Sequence, residues 1–229
     1  MSNSNAVSVL YKKLVEAGTV TEDHGQLNAI NALDNLYNQI TSNIYFKNLF
    51  SNKKDMGVYI FGRVGRGKSY LMDIFYKLVQ DKRCMRLHHH DFMKNIYAYM
   101  KESRLSNHRN PLNYAIGKLT KGISLLCVDE FEVLDVADAM ILEKIYEILF
   151  KKNIKVVLTS NTSPPNLYKN GLQRERFIPY INLIEKYLSV QEVKDGKDYR
   201  IKINDHIGIH EFQDFYYLPA NTKLYEKQY

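Results

Sequence analysis

Apolar residues recur along this chain in two rhythms. Between Gln26 and Ile40 they fall at Leu27, Ile30, Leu33, Leu36 and Ile40, the stripe of an amphipathic helix. Gly57–Phe61 is instead a short continuous apolar run stopped by Gly62, which predicts a buried strand. A helix is predicted from Lys68, with Leu71, Ile74, Phe75 and Leu78 on one side. Met85–His90 reads as a second strand and Phe92–Met100 as a helix. Ser124–Val128 is a third strand, Val136–Phe150 a long helix and Lys155–Thr159 a fourth strand. The Pro164-Pro165 break leads to a loop, a helix ending at Tyr187, and a fifth strand over Ser189–Val193. Beyond Arg200 the pattern weakens and predicts no element. Strands that are apolar on both faces, alternating with helices, predict an α/β fold whose parallel sheet is covered on both sides. The expected organisation is an N-terminal helical segment (1–50), a core (51–200) and a C-terminal remnant (201–229), with no internal repeat.

Composition narrows the class. With 229 residues, 45% of them hydrophobic, the chain can build one sizeable core. Cys84 and Cys127 are too few for a disulfide framework and lack metal-binding spacing, which points to a reducing compartment. No run approaches the roughly 18 apolar residues of a membrane span. Met1–Leu10 carries no Lys or Arg, so it resembles neither a signal nor a transit peptide. The expectation is a cytoplasmic protein whose membrane contact is peripheral at most. The net charge of +7 favours polyanions. Nine basic residues against three acidic ones lie between Lys53 and Arg86, where a phosphate ligand would account for part of the excess. The basic residues are scattered, with no Arg-rich arm, which argues against nucleic acid as the partner.

One motif in that basic stretch carries explicit chemistry. Gly62-Arg63-Val64-Gly65-Arg66-Gly67-Lys68-Ser69 fits G-x-x-x-x-G-K-[ST] at every fixed position, between a predicted strand and a predicted helix. The glycines let successive N–H groups point into one concavity. The helix that follows, with Tyr70 in its first turn, offers its N-terminal dipole to phosphate. Lys68 neutralises phosphate charge and the Ser69 hydroxyl is suited to Mg²⁺. The ligand expected is therefore ATP with Mg²⁺.

Leu125-Leu-Cys-Val is followed by Asp129-Glu130, so an apolar strand delivers two acids to the sheet edge. Asp129 suits a metal ligand and Glu130 a base that orients attacking water. The fourth strand ends in Thr159-Ser160-Asn161, where Asn161 suits a γ-phosphate sensor; capping the turn before Ser163-Pro164-Pro165 is its plainer role. Arg174 and Arg176 stand two apart, positions that do not share a face of a helix. Either one suits a charge supplied to a neighbouring subunit's site, and surface ion pairing is the commoner role of an Arg.

Several of these segments together resemble the ZapE-type, or lactation-elevated-type, AAA+ ATPases of bacteria and mitochondria. The similarity is carried by GRVGRGKSYLMDIFY (62–76), Arg86-Leu-His-His-His90-Asp-Phe-Met93, LLCVDEFEVLDVADAMIL (125–142), Thr159-Ser-Asn161, LYKNGLQRERFIP (167–179) and Asp198-Tyr-Arg200. It implies a P-loop NTPase core of AAA+ type with a five-stranded parallel sheet, and Mg²⁺-dependent ATP hydrolysis. It implies Arg174 or Arg176 as a finger acting in trans, hence a homo-oligomer. A protein partner follows, with a division-ring component expected from the bacterial members. The alternatives are an ATP-gated binding module with little turnover and a helicase-loader-like protein on DNA. Leu134 stands where the family usually has Thr, and His24-Gly25 where it has a Pro-containing pair. Family members continue well beyond Asp-Tyr-Arg, so the helical lid is expected to be truncated or absent here.

His88-His89-His90 invites a zinc reading, since His88 and His90 would share a face of a strand, but no third ligand has a recognisable spacing. The eighteen Tyr, among them Tyr97, Tyr99 and Tyr146, read as core and surface packing rather than base stacking.

Overall fold

The computed structural model of this chain describes residues 5–41, 56–80 and 83–194. Asp198-Tyr-Arg200 and the expected lid remnant lie outside the described residues. In chain order the elements are α1 (Ala6–Glu16), α2 (Leu27–Thr41), β1 (Gly57–Phe61), α3 (Lys68–Val79), β2 (Cys84–His88), α4 (His89–Leu105), α5 (Pro111–Leu119), β3 (Leu125–Asp129), α6 (Val136–Lys151), β4 (Lys155–Ser160), α7 (Ile178–Tyr187) and β5 (Ser189–Glu192). The five strands form one parallel sheet in the order β2-β3-β4-β1-β5. The alternation of strands and helices predicts this parallel α/β sheet, and the resemblance implies its P-loop, AAA+ type.

The pleat divides each strand between two cores. Tyr59, Leu126, Val128, Val156 and Leu158 face α4, α5, α6 and α7. Val58, Ile60, Leu125, Cys127 and Val157 face α1, α2 and α3. Aromatic rings fill the first core, where Phe131 meets Tyr146 edge-on and stacks on Tyr180, with ring centroids 6.3 and 5.8 Å apart.

Three elements depart from the pattern read in the sequence. The second strand stops at His88 and a helix starts at His89, so His88 and His90 do not alternate on a strand and the zinc geometry is lost. No cluster of metal-ligating side chains of three or more occurs among the described residues. Helix α5 was not anticipated, although its signals are local: Asn110 accepts from the Asn113 N–H at 3.0 Å, and Pro111 opens the helix. Leu27, counted in the helical stripe, is exposed, while Ala29 and Ala32 are buried in its place. The burying face is thus rotated toward the small residues. Among the described residues, no helix is long and apolar enough to cross a membrane.

The N-terminal helix is fastened by a buried charge. Asp34 of α2 is 4% exposed and accepts from the Val7 N–H at 2.7 Å, the Ser8 N–H at 3.2 Å and the Ser8 hydroxyl. Those N–H groups belong to the first turn of α1, which has no side-chain cap of its own. A carboxylate placed there also complements the helix dipole. Asp34→Ala is expected to destabilise the protein by about 1–3 kcal/mol, because it strands buried donors. A denaturant midpoint unchanged from wild type would contradict that role.

Candidate nucleotide site

The site lies at the C-terminal edge of the parallel sheet, where β1, β3 and β4 end. The loop from Gly62 to Gly67 joins β1 to α3, and two of its glycines are demanded by geometry. A Cβ on Gly62 would lie 2.5 Å from the Val193 carbonyl oxygen, beside the end of β5. Gly67 caps α3 with φ +75°, a conformation that costs other residues about 1–2 kcal/mol. Arg63 and Val64 are exposed; Gly65, Arg66 and Gly67 are half-buried. Lys68 is buried, and its Nζ donates to the Gly62 and Arg63 carbonyls at 2.9 and 2.8 Å. Burial pushes the Lys68 ammonium below its usual range, opposed by the nearby Asp129 and Glu130. Tyr70 sits half-buried in the first turn of α3, its hydroxyl pushed up to about 12 by burial and by Asp73 and Tyr11.

Asp129 closes β3 at 2% exposure. Its Oδ1 accepts from Ser69 Oγ at 3.0 Å, from the Glu130 N–H at 3.1 Å and from the Thr159 hydroxyl. Its Oδ2 accepts from Arg86 Nη2 at 2.7 Å. Burial raises the acid's pKa, but the Thr159 hydroxyl, the Arg86 guanidinium and the Ser69 hydroxyl outweigh it and hold the carboxyl below the usual range. Arg86 is itself buried on β2, and its other terminal nitrogen reaches Asp73 on α3. One guanidinium therefore ties a strand and a helix to the acid.

The fit to a hydrated divalent cation can be tested on this geometry. Two neighbouring oxygens of an octahedral Mg²⁺ at ~2.1 Å stand about 3 Å apart. Ser69 Oγ and Asp129 Oδ1 are 3.0 Å apart. The spacing of these two oxygens fits a hydrated Mg²⁺.

Glu130 adopts φ +53°, uncommon for a residue with a side chain. Its N–H is shared between Asp129 Oδ1 and Thr159 Oγ1, each at 3.1 Å, which holds that conformation. The carboxylate is 73% exposed and lies 3.8 Å from His88 Nδ1. His89, by contrast, is buried 4.6 Å from the Phe131 ring, and burial lowers its imidazole to about 4, so it is neutral at pH 7. Asn161 follows β4 directly and is exposed. Arg174 and Arg176 fall in a 3₁₀ turn rather than a helix. Arg174 Nη2 donates to the Pro165 carbonyl at 2.6 Å, whereas Arg176 is exposed.

The sequence motifs thus converge on Lys68, Ser69, Asp129 and Glu130, with Asn161 at the adjacent strand end. Arg174 and Arg176 stand beyond Pro164–Asn166, outside the hydrogen-bonded cluster. Two residues gained no role from sequence alone. Arg86 reads only as one basic residue of a strand, and Thr159 as a hydroxyl at a strand end; only the pairing of β2, β3 and β4 unites them with Asp129.

The model of the AFG1-like ATPase family matches residues 6–221. The chain belongs to that family. A curated relative, the cell division protein ZapE of Escherichia coli K12, is 34% identical over 209 residues, which cover 84% of this chain and 55% of the relative. Lactation elevated protein 1 homolog B of Danio rerio is 38% identical over 155 residues, 64% of this chain and 31% of the relative. The AFG1-like chain therefore spans about half the length of the ZapE relative. In fold it is similar to domain III of the replication initiation protein DnaA of Thermotoga maritima, with a TM-score of 0.55, 18% identity, and coverage of 79% of this chain and 67% of that one.

The charge balance around Asp129 yields a stability test. Its depressed pKa means that the contribution is present above the ordinary carboxylate pKa and is lost as pH falls through the folded value. Arg86→Ala leaves an uncompensated buried carboxylate and is expected to cost about 3–5 kcal/mol near pH 7. That loss should shrink in acid, as Asp129 in the variant takes up a proton. Urea titrations from pH 7 to pH 4 that find a pH-independent deficit would refute the charge argument.

Proposed function

We propose that this AFG1-like protein binds ATP with Mg²⁺ and hydrolyses it in an assembled state, and that the cycle drives rearrangement of a protein partner. The observation that carries the reading is the 3.0 Å approach of Ser69 Oγ to Asp129 Oδ1, which joins the phosphate loop to the acidic strand end. The loop N–H groups and Lys68 hold the polyphosphate. Ser69 and Asp129 would hold Mg²⁺, which would supply positive charge to offset what develops on the phosphate oxygens. Glu130, exposed beside this centre, accepts the proton of the attacking water. The water oxygen bonds to the γ-phosphorus, the bond to the β–γ bridging oxygen breaks, and ADP and phosphate leave. Asn161 orients the water or the γ-phosphate from the next strand end.

The two arginines divide by their contacts. Arg174 is tied to its own chain at Pro165, so Arg176, exposed one residue beyond Glu175, is the better finger for a neighbouring subunit. That assignment makes turnover depend on a homo-oligomer. Similarity to a cell division protein supports a protein partner connected with division.

Phosphate release from ATP–Mg²⁺, measured against protein concentration, tests the reading. Specific activity is expected to rise with concentration, to fall at least about a hundredfold in Glu130→Gln, and to fall in Arg176→Ala more than in Arg174→Ala. A 1:1 mixture of Glu130→Gln and Arg176→Ala should recover part of the activity, since each supplies what the other lacks. Nucleotide bound without phosphate release at any concentration would replace the ATPase reading with that of an ATP-gated binding module. Lys68→Ala should abolish nucleotide affinity in either case.

A further inference from the structure

Gln26 lies in the 3₁₀ turn His24–Gln26 and is 1% exposed. Its Nε2 donates to the Arg66 carbonyl at 3.0 Å, which pins the amide against the phosphate loop. With the nitrogen so engaged, Oε1 is buried and meets no donor among the described residues. On the same turn Asp23 is 6% exposed. Its Oδ1 accepts from the Gly25 N–H at 2.8 Å, while Oδ2 is likewise buried without a donor. Buried acceptors without donors are costly and rare in folded proteins. Two on one turn, beside a phosphate loop, mark a place where a ligand's donor completes the structure.

The sheet order says which part of a nucleotide reaches that turn. The loop leaves β1, which lies between β4 and β5. The β3–β4 side carries Asp129, Glu130 and Asn161, where the terminal phosphate reacts in the reading above. The β5 side is closed by the turn itself: a Cβ on Gly25 would lie 2.9 Å from the Lys194 carbonyl oxygen, two residues beyond β5. A nucleotide with its terminal phosphate toward β3 and β4 directs its base to the β5 side.

We infer that Gln26 selects the base, its Oε1 accepting a hydrogen bond from the exocyclic 6-amino group of adenine. Guanine carries a carbonyl oxygen at that position, so two acceptors would face each other with no proton between them. Rejection by an unpaired buried polar group is stronger than rejection by shape alone. The same amide serves as a tie to the loop through its nitrogen, so recognition of the base is coupled to the loop's position. The inference rests on the nucleotide-binding reading.

Equilibrium titration of the full chain tests it with four probes: ATP, GTP, purine riboside triphosphate (which has no group at the 6-position) and inorganic tripolyphosphate. The wild type is expected to bind ATP roughly tenfold or more tightly than GTP or the purine analogue. Gln26→Leu should bring ATP down to the level of the analogue, with a clearly smaller fall in tripolyphosphate affinity from the lost tie to the Arg66 carbonyl. Equal binding of ATP and GTP by the wild type overturns the inference, as does an ATP preference that survives in Gln26→Leu. A parallel loss of tripolyphosphate affinity in that variant overturns it too, since Gln26 would then only support the loop. In each of these cases Lys68→Ala still abolishes binding, and nucleotide binding stands. Absence of binding by every probe to the wild type overturns both readings.

Discussion

A carboxylate buried at the end of a strand constrains this structure more than any other single group. Asp129 keeps its charge at 2% exposure only because hydroxyl, guanidinium and amide donors reach it from α3, β2, β4 and the residue that follows it. Each donor belongs to a different part of the chain. The registers of β2 and β4 beside β3, and the point where α3 begins, must all be right for the acid to be satisfied. Taking that charge out of water without these partners would cost several kcal/mol. The site's chemistry and the fold's specificity thus share one set of hydrogen bonds.

The legibility of this arrangement in the sequence follows from the range of the interactions. The five strands and the helices α2, α3, α6 and α7 are visible because apolar spacing within a dozen residues determines which face is buried. The phosphate loop is visible because its function needs particular residue types at fixed local intervals. Arg86 and Thr159 are not visible in that way; their importance comes from lying beside Asp129 across a sheet, and nothing next to them in sequence announces it. The segment Asp23–Gln26 resembles the family's, but no role for Gln26 is legible there, since its contact with Arg66 spans 40 residues. The misplaced end of β2 has a different origin. His88-His89-His90 is compatible with strand or helix, and packing of His89 against Phe131 decides for the helix.

The N-terminal helices are integral to the site's support. Val7 and Tyr11 of α1 and Ile30 and Leu33 of α2 belong to the same buried cluster as Leu71 and Phe75 of α3. Tyr11 extends this link, its hydroxyl accepting from the Asp23 N–H at 3.0 Å, one turn before Gln26. The phosphate loop is therefore braced from two directions, by the sheet beneath it and by a turn that α1 and α2 hold in place. Arg86 adds a third brace by joining β2 to Asp73 on α3.

Lys68 gives the loop a further property. With both short contacts directed at the carbonyls of Gly62 and Arg63, the ammonium acts as a latch on its own backbone. An ammonium carries three protons, so the two carbonyls fix its direction and one proton remains for an anion. A small ion gains that one contact, whereas a polyphosphate that also engages the loop amides gains contacts along its length.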